Sequence, residues 1–456
     1  MEKKIFLKIK NASWQLWVLL ALIFVGIFLR TYHFQSLLIF ASDQARDLKI
    51  VEGVVNGHDS WPLLGPDMTG ARHFRLGAIY YYFQIISANI FGVGATQQAY
   101  PDLFFSILSI PLFYYFLKRY FSENAALFST AIYVFSYFAI EYSRFAWNVN
   151  LIPFFVLLYL FSLGEFLIKE EKTQWKWIAA LGVSLGIGVQ LHAILLLLFS
   201  VMTFFVFLFF ILQKRKVWKK CIIVILIALS LNIGQFISEK ETGFANTKTF
   251  FNAFIFKSYR TSGTVLKGLE LDVACNAQAD MHILSSLGNK DICNFLYSSY
   301  EISTTYNTEI KLERDPFSLS GKFASLLFSL IGLGFLLYYF IKAHGKQKYL
   351  WGLLILYGTL YFLIMIPIAP GSRLRYYLPI IFMPFVFLCF IYDFLAKKYP
   401  KKHFWITGII FLFLLAANIN SMRLKLENPA CSKETQADFG CNLPITRQIP
   451  NYVEKN

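Results

Sequence analysis

Two aspartates four residues apart are the first side chains in this sequence whose type and spacing could do chemistry. They lie in the stretch Ser42-Asp43-Gln44-Ala45-Arg46-Asp47-Leu48-Lys49-Ile50-Val51-Glu52-Gly53-Val54-Val55-Asn56-Gly57. Ser42 suits an N-cap and Asn56-Gly57 a stop, so the stretch predicts a helix of about 13 residues. On that helix Asp43 and Asp47 share a face, and Leu48, Val51 and Val55 form a stripe turned away from it. Such a helix can lie on a membrane with both carboxylates presented to one side. A carboxylate held partly desolvated at a bilayer surface is well placed to act as a general base. The plainer reading is that the two acids complement the positive end of the helix, each worth about 0.3–1 kcal/mol. The pair could also ligate Mg²⁺ or Mn²⁺, although two carboxylates alone do not define a metal site.

What must position this helix is a membrane. The chain has 456 residues, of which 57% are hydrophobic and only 15% charged, with a mean hydropathy of +0.52. These values exclude disordered, collagen-like and small disulfide-scaffold proteins and predict an all-α polytopic membrane protein. About 20 apolar residues cross a hydrocarbon core. Eleven runs approach that length, near 14–31, 102–117, 124–140, 151–168, 177–191, 193–213, 219–237, 323–341, 349–368, 378–396 and 403–420. The run Leu76 to Phe91, with its Tyr80-Tyr81-Tyr82 triplet and closing Gly92, reads instead as a helix lying in the outer interface.

Charge sets the expected orientation. The net charge of +16 comes from 43 Lys and Arg against 27 acids. With the N-terminus in the cytoplasm, about half of the basic residues fall in short segments between spans on that side. This places the C-terminus outside, makes a plasma-membrane location the expectation, and leaves no need for a nucleic-acid partner. Residues 14–31 do not read as a cleavable signal, because Arg30 follows a long apolar stretch with no small-residue cleavage site.

Four units follow: an N-terminal membrane module over 1–237 with the chemical loop at 32–101, a small extracytoplasmic insertion over 238–322, membrane helices over 323–420, and an extracytoplasmic tail over 421–456. The insertion carries nine basic and ten acidic residues, so it is a nearly neutral segment rather than a polybasic arm. Cys221 and Cys389 fall within spans. Cys275, Cys293, Cys431 and Cys441 fall outside, as suits an oxidising compartment, and the short loops favour the pairs Cys275 with Cys293 and Cys431 with Cys441.

Ordered motifs extend the reading. Asp43-Gln44-Ala45-Arg46 is followed by Trp61-Pro62-Leu63-Leu64-Gly65-Pro66, then His73-Phe74-Arg75-Leu76-Gly77-Ala78-Ile79-Tyr80-Tyr81, then Phe91-Gly92. Further on come Tyr142-Ser143-Arg144 with Asn148 and Asn150, Gln190-Leu191-His192, and Arg373-Leu374-Arg375-Tyr376-Tyr377 with Pro379 and Pro384. In this order the set resembles the membrane glycosyltransferases that use polyprenyl-phosphate sugars, the superfamily of the GT-C fold that includes aminoarabinose transferases and protein O-mannosyltransferases. The likeness covers roughly residues 12–420. Gln44 stands where that pattern carries Glu, and Arg75-Leu76-Gly77-Ala78 stands in place of its Pro-Pro.

The resemblance implies a glycosyl transfer at the extracytoplasmic face. An acceptor hydroxyl or amine, on a cell-envelope lipid, glycan or protein, would attack the anomeric carbon of a polyprenyl-phosphate sugar. Asp43, alone or with Asp47, would take the proton. His73, Arg75, Tyr81, Arg144, His192, Arg373 and Arg375 would contact the substrates, the arginines meeting the departing phosphate. Plainer readings stand beside these: Arg144 can pair with Glu141, His192 can be a satisfied structural histidine, and Arg30 an interfacial anchor. A transporter or flippase is the alternative function, but it would place ionisable groups at mid-membrane, where these spans have almost none. A polymerase or ligase of lipid-linked saccharides would share the same substrates.

Overall fold

The computed structural model describes residues 13–67, 74–255, 265–287, 316–369, 372–427 and 441–442. It is a bundle of helices. α1 spans Trp14–Thr31, and the first loop then holds β1 (Ile39–Phe40), α2 (Ser42–Val55), β2 (Leu64–Asp67), β3 (Arg75–Gly77), α3 (Ile79–Phe91) and α4 (Ala95–Gln98). α5 (Tyr100–Lys118), α6 (Glu123–Phe135), α7 (Tyr137–Glu141), α8 (Ile152–Lys169), α9 (Trp175–Leu191), α10 (Ala193–Leu212) and α11 (Trp218–Leu231) follow. α12 (Ile233–Glu241), α13 (Ala245–Ile255), α14 (Val265–Ser285), α15 (Pro316–Lys342), α16 (Gly345–Met365), α17 (Met383–Lys398), α18 (His403–Glu427) and β4 (Cys441–Asn442) complete it.

Among the described residues seven helices are long and apolar enough to cross a membrane: Trp14–Thr31, Ala95–Lys118, Asn148–Lys172, Ala193–Leu212, Ser320–Lys342, Gly345–Met365 and His403–Glu427. Two bent pairs raise the number to nine, α11 with α12 at 60° and the 3₁₀ segment Leu374–Ile380 with α17 at 51°. The expected eleven is not reached. The run near 124–140 breaks at Ser136, whose hydroxyl accepts from the Ala139 N–H and donates to the Ile283 carbonyl, and the run near 177–191 is the 17-residue α9. Hydropathy sees an unbroken apolar run there because a serine satisfied by backbone partners costs little. As expected, the Leu76–Phe91 run is not among the spanning helices; it is a short strand followed by the 13-residue α3.

The core sits around α8. The apolar window of that helix is 83% buried, against 17% for α1, so α8 is central and α1 lipid-facing. Glu165 near its end is paired by Arg119 at 3.0 Å and by Lys169 one turn on, so the acid in this helix is compensated. α9 and α11 pack closely because Gly182 and Gly186 lack a Cβ: one built at Gly186 would stand 2.9 Å from the Ala228 Cα.

Two expectations change. α14 is not part of a free-standing insertion: Cys275, Ala279, Ile283 and Leu284 belong to the main core, and the helix packs on α15, α17, α18 and α7. The last helix also runs on to Glu427, so residues 421–427 are helix rather than tail, and β4 pairs antiparallel with β1, Cys441 opposite Phe40.

Candidate functional site

α2 starts at Ser42, but its N-cap is Ala41 rather than Ser42, one residue earlier than the sequence predicts. The Ala41 N–H donates to Gln44 Oε1 at 3.0 Å, while Gln44 Nε2 donates to the Ala146 carbonyl at 2.8 Å. Gln44 therefore does two jobs: it closes the helix start and ties the helix to the loop that follows α7. That is a local reason for an amide at this position.

The two aspartates differ in environment. Asp43 is about half exposed and takes one contact from Arg46 at 3.0 Å. The Asp47 side chain is 3% exposed. Its Oδ1 accepts from Arg46 Nε at 2.8 Å and from the Tyr81 hydroxyl at 3.0 Å. α2 therefore does not float with both acids turned to solvent. Val51 packs with Ala78, Tyr81, Ile85 and Ala88, while Leu48 packs against the cluster around Leu38, Ala99 and Ala146, which buries two sides of the helix and draws Asp47 inward. Burial pushes the Asp47 carboxyl up to about 6 although Arg46 pulls the other way, and the same two acids hold the Arg46 guanidinium firmly protonated.

The residue next to Tyr81 on α3 meets a second buried carboxyl, that of Asp102 at the start of α5. The Tyr80 hydroxyl donates to Asp102 Oδ2 at 3.0 Å, and the Trp147 N–H donates to Asp102 Oδ1 at 3.1 Å. Asp102 has no exposed surface. Over the other face of this assembly the Arg375 guanidinium stacks on the Trp147 ring at 5.1 Å and on Tyr376 at 5.4 Å. The His192 ring meets Tyr376 edge-on at 5.4 Å. Burial and the nearby Arg375 cation pull His192 down to about 3, so it is neutral, and its Nδ1 accepts from the Ile194 N–H at 3.2 Å. Asp43, Arg46, Asp47, Tyr81, Tyr80, Asp102, Trp147, Arg375 and His192 thus form one connected constellation.

Gln190 anchors the start of α3. Its Oε1 accepts from the Ile79 N–H at 3.3 Å, and its Nε2 donates to the carbonyls of Gly186 and Leu231. Gly77 permits that approach, since a Cβ there would lie 2.0 Å from Gln190 Oε1.

The remaining expected residues divide. Arg75 is held in the β2–β3 hairpin, with Nε on the Gly65 carbonyl at 2.9 Å and an ion pair to Asp67 at 3.3 Å, and its backbone is clasped by the Asn246 amide. Arg144 does not pair with Glu141. Its guanidinium donates to the carbonyls of Leu29, Arg30 and Tyr32, closing the end of α1, and Glu141 is met by Tyr137 and Lys425 instead. Arg373 is exposed beside Arg375. Arg30 is fully buried, donating to Ser106 at 2.9 Å, so it is an interior residue rather than an interfacial anchor. Cys275 is disulfide-bonded, while Cys221 and Cys389 are free thiols. His73, Cys293 and Cys431 lie outside the described residues, and of Cys441 only the backbone is described.

Arg46, Tyr80, Asp102 and Trp147 are absent from the sequence-based set. One signal for Asp102 was available: it is a lone acid entering an otherwise apolar run, and such a residue needs a partner. A divalent metal does not fit here. Arg46 already occupies the position between the two carboxylates that a cation would take, and among the described residues no group of three or more His, Cys, Asp or Glu converges.

Residues 77–234 match the family model described as dolichyl-phosphate-mannose-protein mannosyltransferase. No curated protein matches the chain in sequence. Among solved structures it is similar to ArnT from Cupriavidus metallidurans bound to undecaprenyl phosphate, at 13% identity and a TM-score of 0.54, over 87% of this chain and 64% of that one. It is also similar to the archaeal oligosaccharyltransferase AglB from Archaeoglobus fulgidus, in complex with an inhibitory peptide and a dolichol-phosphate, at 13% identity and a TM-score of 0.55, over 97% of this chain and 59% of that one. The chain thus spans about three fifths of the length of these structures. The fold implied by the sequence resemblance, the GT-C fold of polytopic membrane glycosyltransferases, is the fold found.

Proposed function

We propose that the chain is an integral membrane glycosyltransferase. It moves a sugar from a polyprenyl-phosphate donor to a hydroxyl or amine of a cell-envelope lipid, glycan or protein. The site faces the extracytoplasmic side of the plasma membrane, with the N-terminus in the cytoplasm. One observation carries the reading: Asp43 is half exposed at the start of α2, while Asp47 one turn on is buried and fixed by Arg46 and Tyr81. Asp43, held only by the half-exposed Arg46, is open to solvent and to a substrate, while Asp47 holds the helix that presents it.

The acceptor O–H or N–H is the nucleophile. Its heteroatom forms a bond to the anomeric carbon, the bond from that carbon to the phosphate oxygen breaks, and the proton passes to Asp43. The leaving group is the polyprenyl phosphate. Its developing charge needs a cation, and Arg375 supplies one: it is stacked on aromatic rings, and among the described residues no carboxylate pairs with it. A guanidinium held by stacking keeps its fork of N–H donors for phosphate oxygens. Arg373, Arg75 and His192 line the donor side in this reading. Tyr81 acts through Asp47, and Arg144 acts through the end of α1.

The test incubates purified protein and Asp43→Asn with radiolabelled polyprenyl-phosphate sugars and a panel of acceptors. Transfer by the wild type and its loss in a folded Asp43→Asn protein is the expected result. Full transfer by that variant would sink the assignment of the base. No transfer by the wild type, together with measurable translocation of the lipid, would favour a transporter.

A further inference from the structure

The loops joining α8 to α9 and α10 to α11 are tied into one platform. Arg215 Nη1 pairs with Glu170 Oε2 at 3.1 Å, and Lys220 Nζ donates to the carbonyls of Glu170, Glu171 and Thr173. The same ammonium lies over the Trp175 ring at 5.6 Å, so one lysine joins both loops and an indole. These contacts occupy Arg215, Lys220 and Glu170. Left exposed around them are Lys172, Lys176, Lys214, Lys216 and Lys219. None of the five pairs with a carboxylate among the described residues.

Trp175 and Trp218 stand 60% and 61% exposed in the same platform. Four apolar segments end here, since Asn148–Lys172 and Ala193–Leu212 finish at it and α9 and α11 start from it. The platform is therefore at a membrane boundary, where indole rings settle between head groups and hydrocarbon. It is also remote from the candidate site. α9 runs from Trp175 here to Leu191, beside His192, which is about 25 Å of helix.

Orientation rules account for a surplus of lysine at one end of a bundle, but not for two lysine-bearing loops pinned to each other through Arg215, Lys220 and Glu170 beside two exposed indoles. We propose that this platform binds the phosphate head groups of anionic phospholipids in the leaflet away from the candidate site. Charge complementarity names the occupant. Five ammonium groups at a membrane boundary, none with a carboxylate partner among the described residues and two of them over the Trp177 and Trp218 rings, face a plane of phosphates, with Glu171 the one acid beside them that has no ion pair among those residues. Each ammonium is a compact donor on a flexible stem, suited to phosphates that diffuse laterally rather than to one rigid ligand.

The test is native mass spectrometry of the full-length protein in detergent, offered equal amounts of phosphatidylglycerol and phosphatidylcholine. The wild type is expected to retain phosphatidylglycerol with a preference of about tenfold, falling as salt is raised. Replacing Lys172, Lys176, Lys214, Lys216 and Lys219 by Gln should bring the preference close to unity. The smaller pair Lys214→Gln with Lys216→Gln should lower it part of the way, which covers a five-site variant that does not fold. A control with Lys346, Lys348, Lys401 and Lys402 changed to Gln should keep the wild-type preference. No preference in the wild type, an unchanged preference in both platform variants, or an equal loss in the control would overturn the proposal.

Discussion

Tyr80 and Tyr81, adjacent on α3, donate hydrogen bonds to two different buried carboxyls, Asp102 at 3.0 Å and Asp47 at 3.0 Å. Neighbouring residues on a helix point about 100° apart, so the pair can hold two elements at once: α2 through Asp47, and α5 with the Trp147 loop through Asp102. Each hydroxyl satisfies an acid that burial would otherwise leave costly. The first loop is thereby fastened to the bundle at the level where Asp43 is displayed.

Tyr81→Phe should lower stability by about 1 kcal/mol, the usual net worth of one hydrogen bond. The ring keeps its packing against Val51 and Ile85, so the effect isolates the hydroxyl. Thermal unfolding in detergent reads it. The same variant should lower transfer by raising the mobility of α2, seen as faster hydrogen exchange over residues 42–55. Unchanged exchange there would argue against the tie.

Asp47 predicts a pH dependence with a definite sign. Its folded carboxyl is pushed up to about 6, above the ordinary value of about 3.9. The folded state therefore holds the proton more tightly than the unfolded one. Stability is fully present below about pH 4, falls as pH rises towards 6, and is level above it. The loss is on the order of 3 kcal/mol. Asp47→Asn should flatten this window, which unfolding midpoints measured from pH 4 to pH 8 would show.

The sequence made the elements legible but not their partners. Hydropathy located the long apolar helices but not α14, which carries acids and amides and fell in the segment expected as an insertion, and the turn signal at Asn56-Gly57 ended α2 within a residue of where it stops. Periodicity also put Asp43 and Asp47 on one face. It could not tell that α3 would cover one end of that face, because the Asp47–Tyr81 contact spans 34 residues. Arg144 shows the same limit. The nearby Glu141 made an ion pair the natural expectation, whereas carbonyls more than a hundred residues away took the guanidinium. A buried arginine whose Nη groups are held by backbone carbonyls leaves no mark in local charge pattern.

Gly77→Ala should be disruptive out of proportion to its size. The added methyl would meet the Gln190 side chain, which is itself fixed by three backbone partners and cannot yield easily. Overpacking of this kind costs about 1–3 kcal/mol. Gly77→Ala combined with Gln190→Ala should recover part of the loss, since the clash is gone. A double-mutant cycle on unfolding midpoints checks the coupling.

Arg375 gives the sharpest separation of binding from chemistry. Stacked between Trp147 and Tyr376, it is positioned by rings rather than by a carboxylate, so its removal leaves no acid unpaired and should cost little stability. If its donors meet the phosphate of the lipid-linked sugar, the contact strengthens as the bond to the anomeric carbon breaks and the phosphate gains charge. Arg375→Ala should then reduce kcat by about a hundredfold, the scale found when one donor to a developing charge is removed, with a smaller rise in KM for the donor. Arg375→Lys should recover only part, because an ammonium keeps the charge but loses the planar fork and much of the stacking. Trp147→Leu should mimic the loss with the guanidinium still present, since the ring that aims it is gone. Steady-state kinetics with varied donor at saturating acceptor distinguish these outcomes, and a folded Arg375→Ala protein with unchanged kcat would place the phosphate elsewhere.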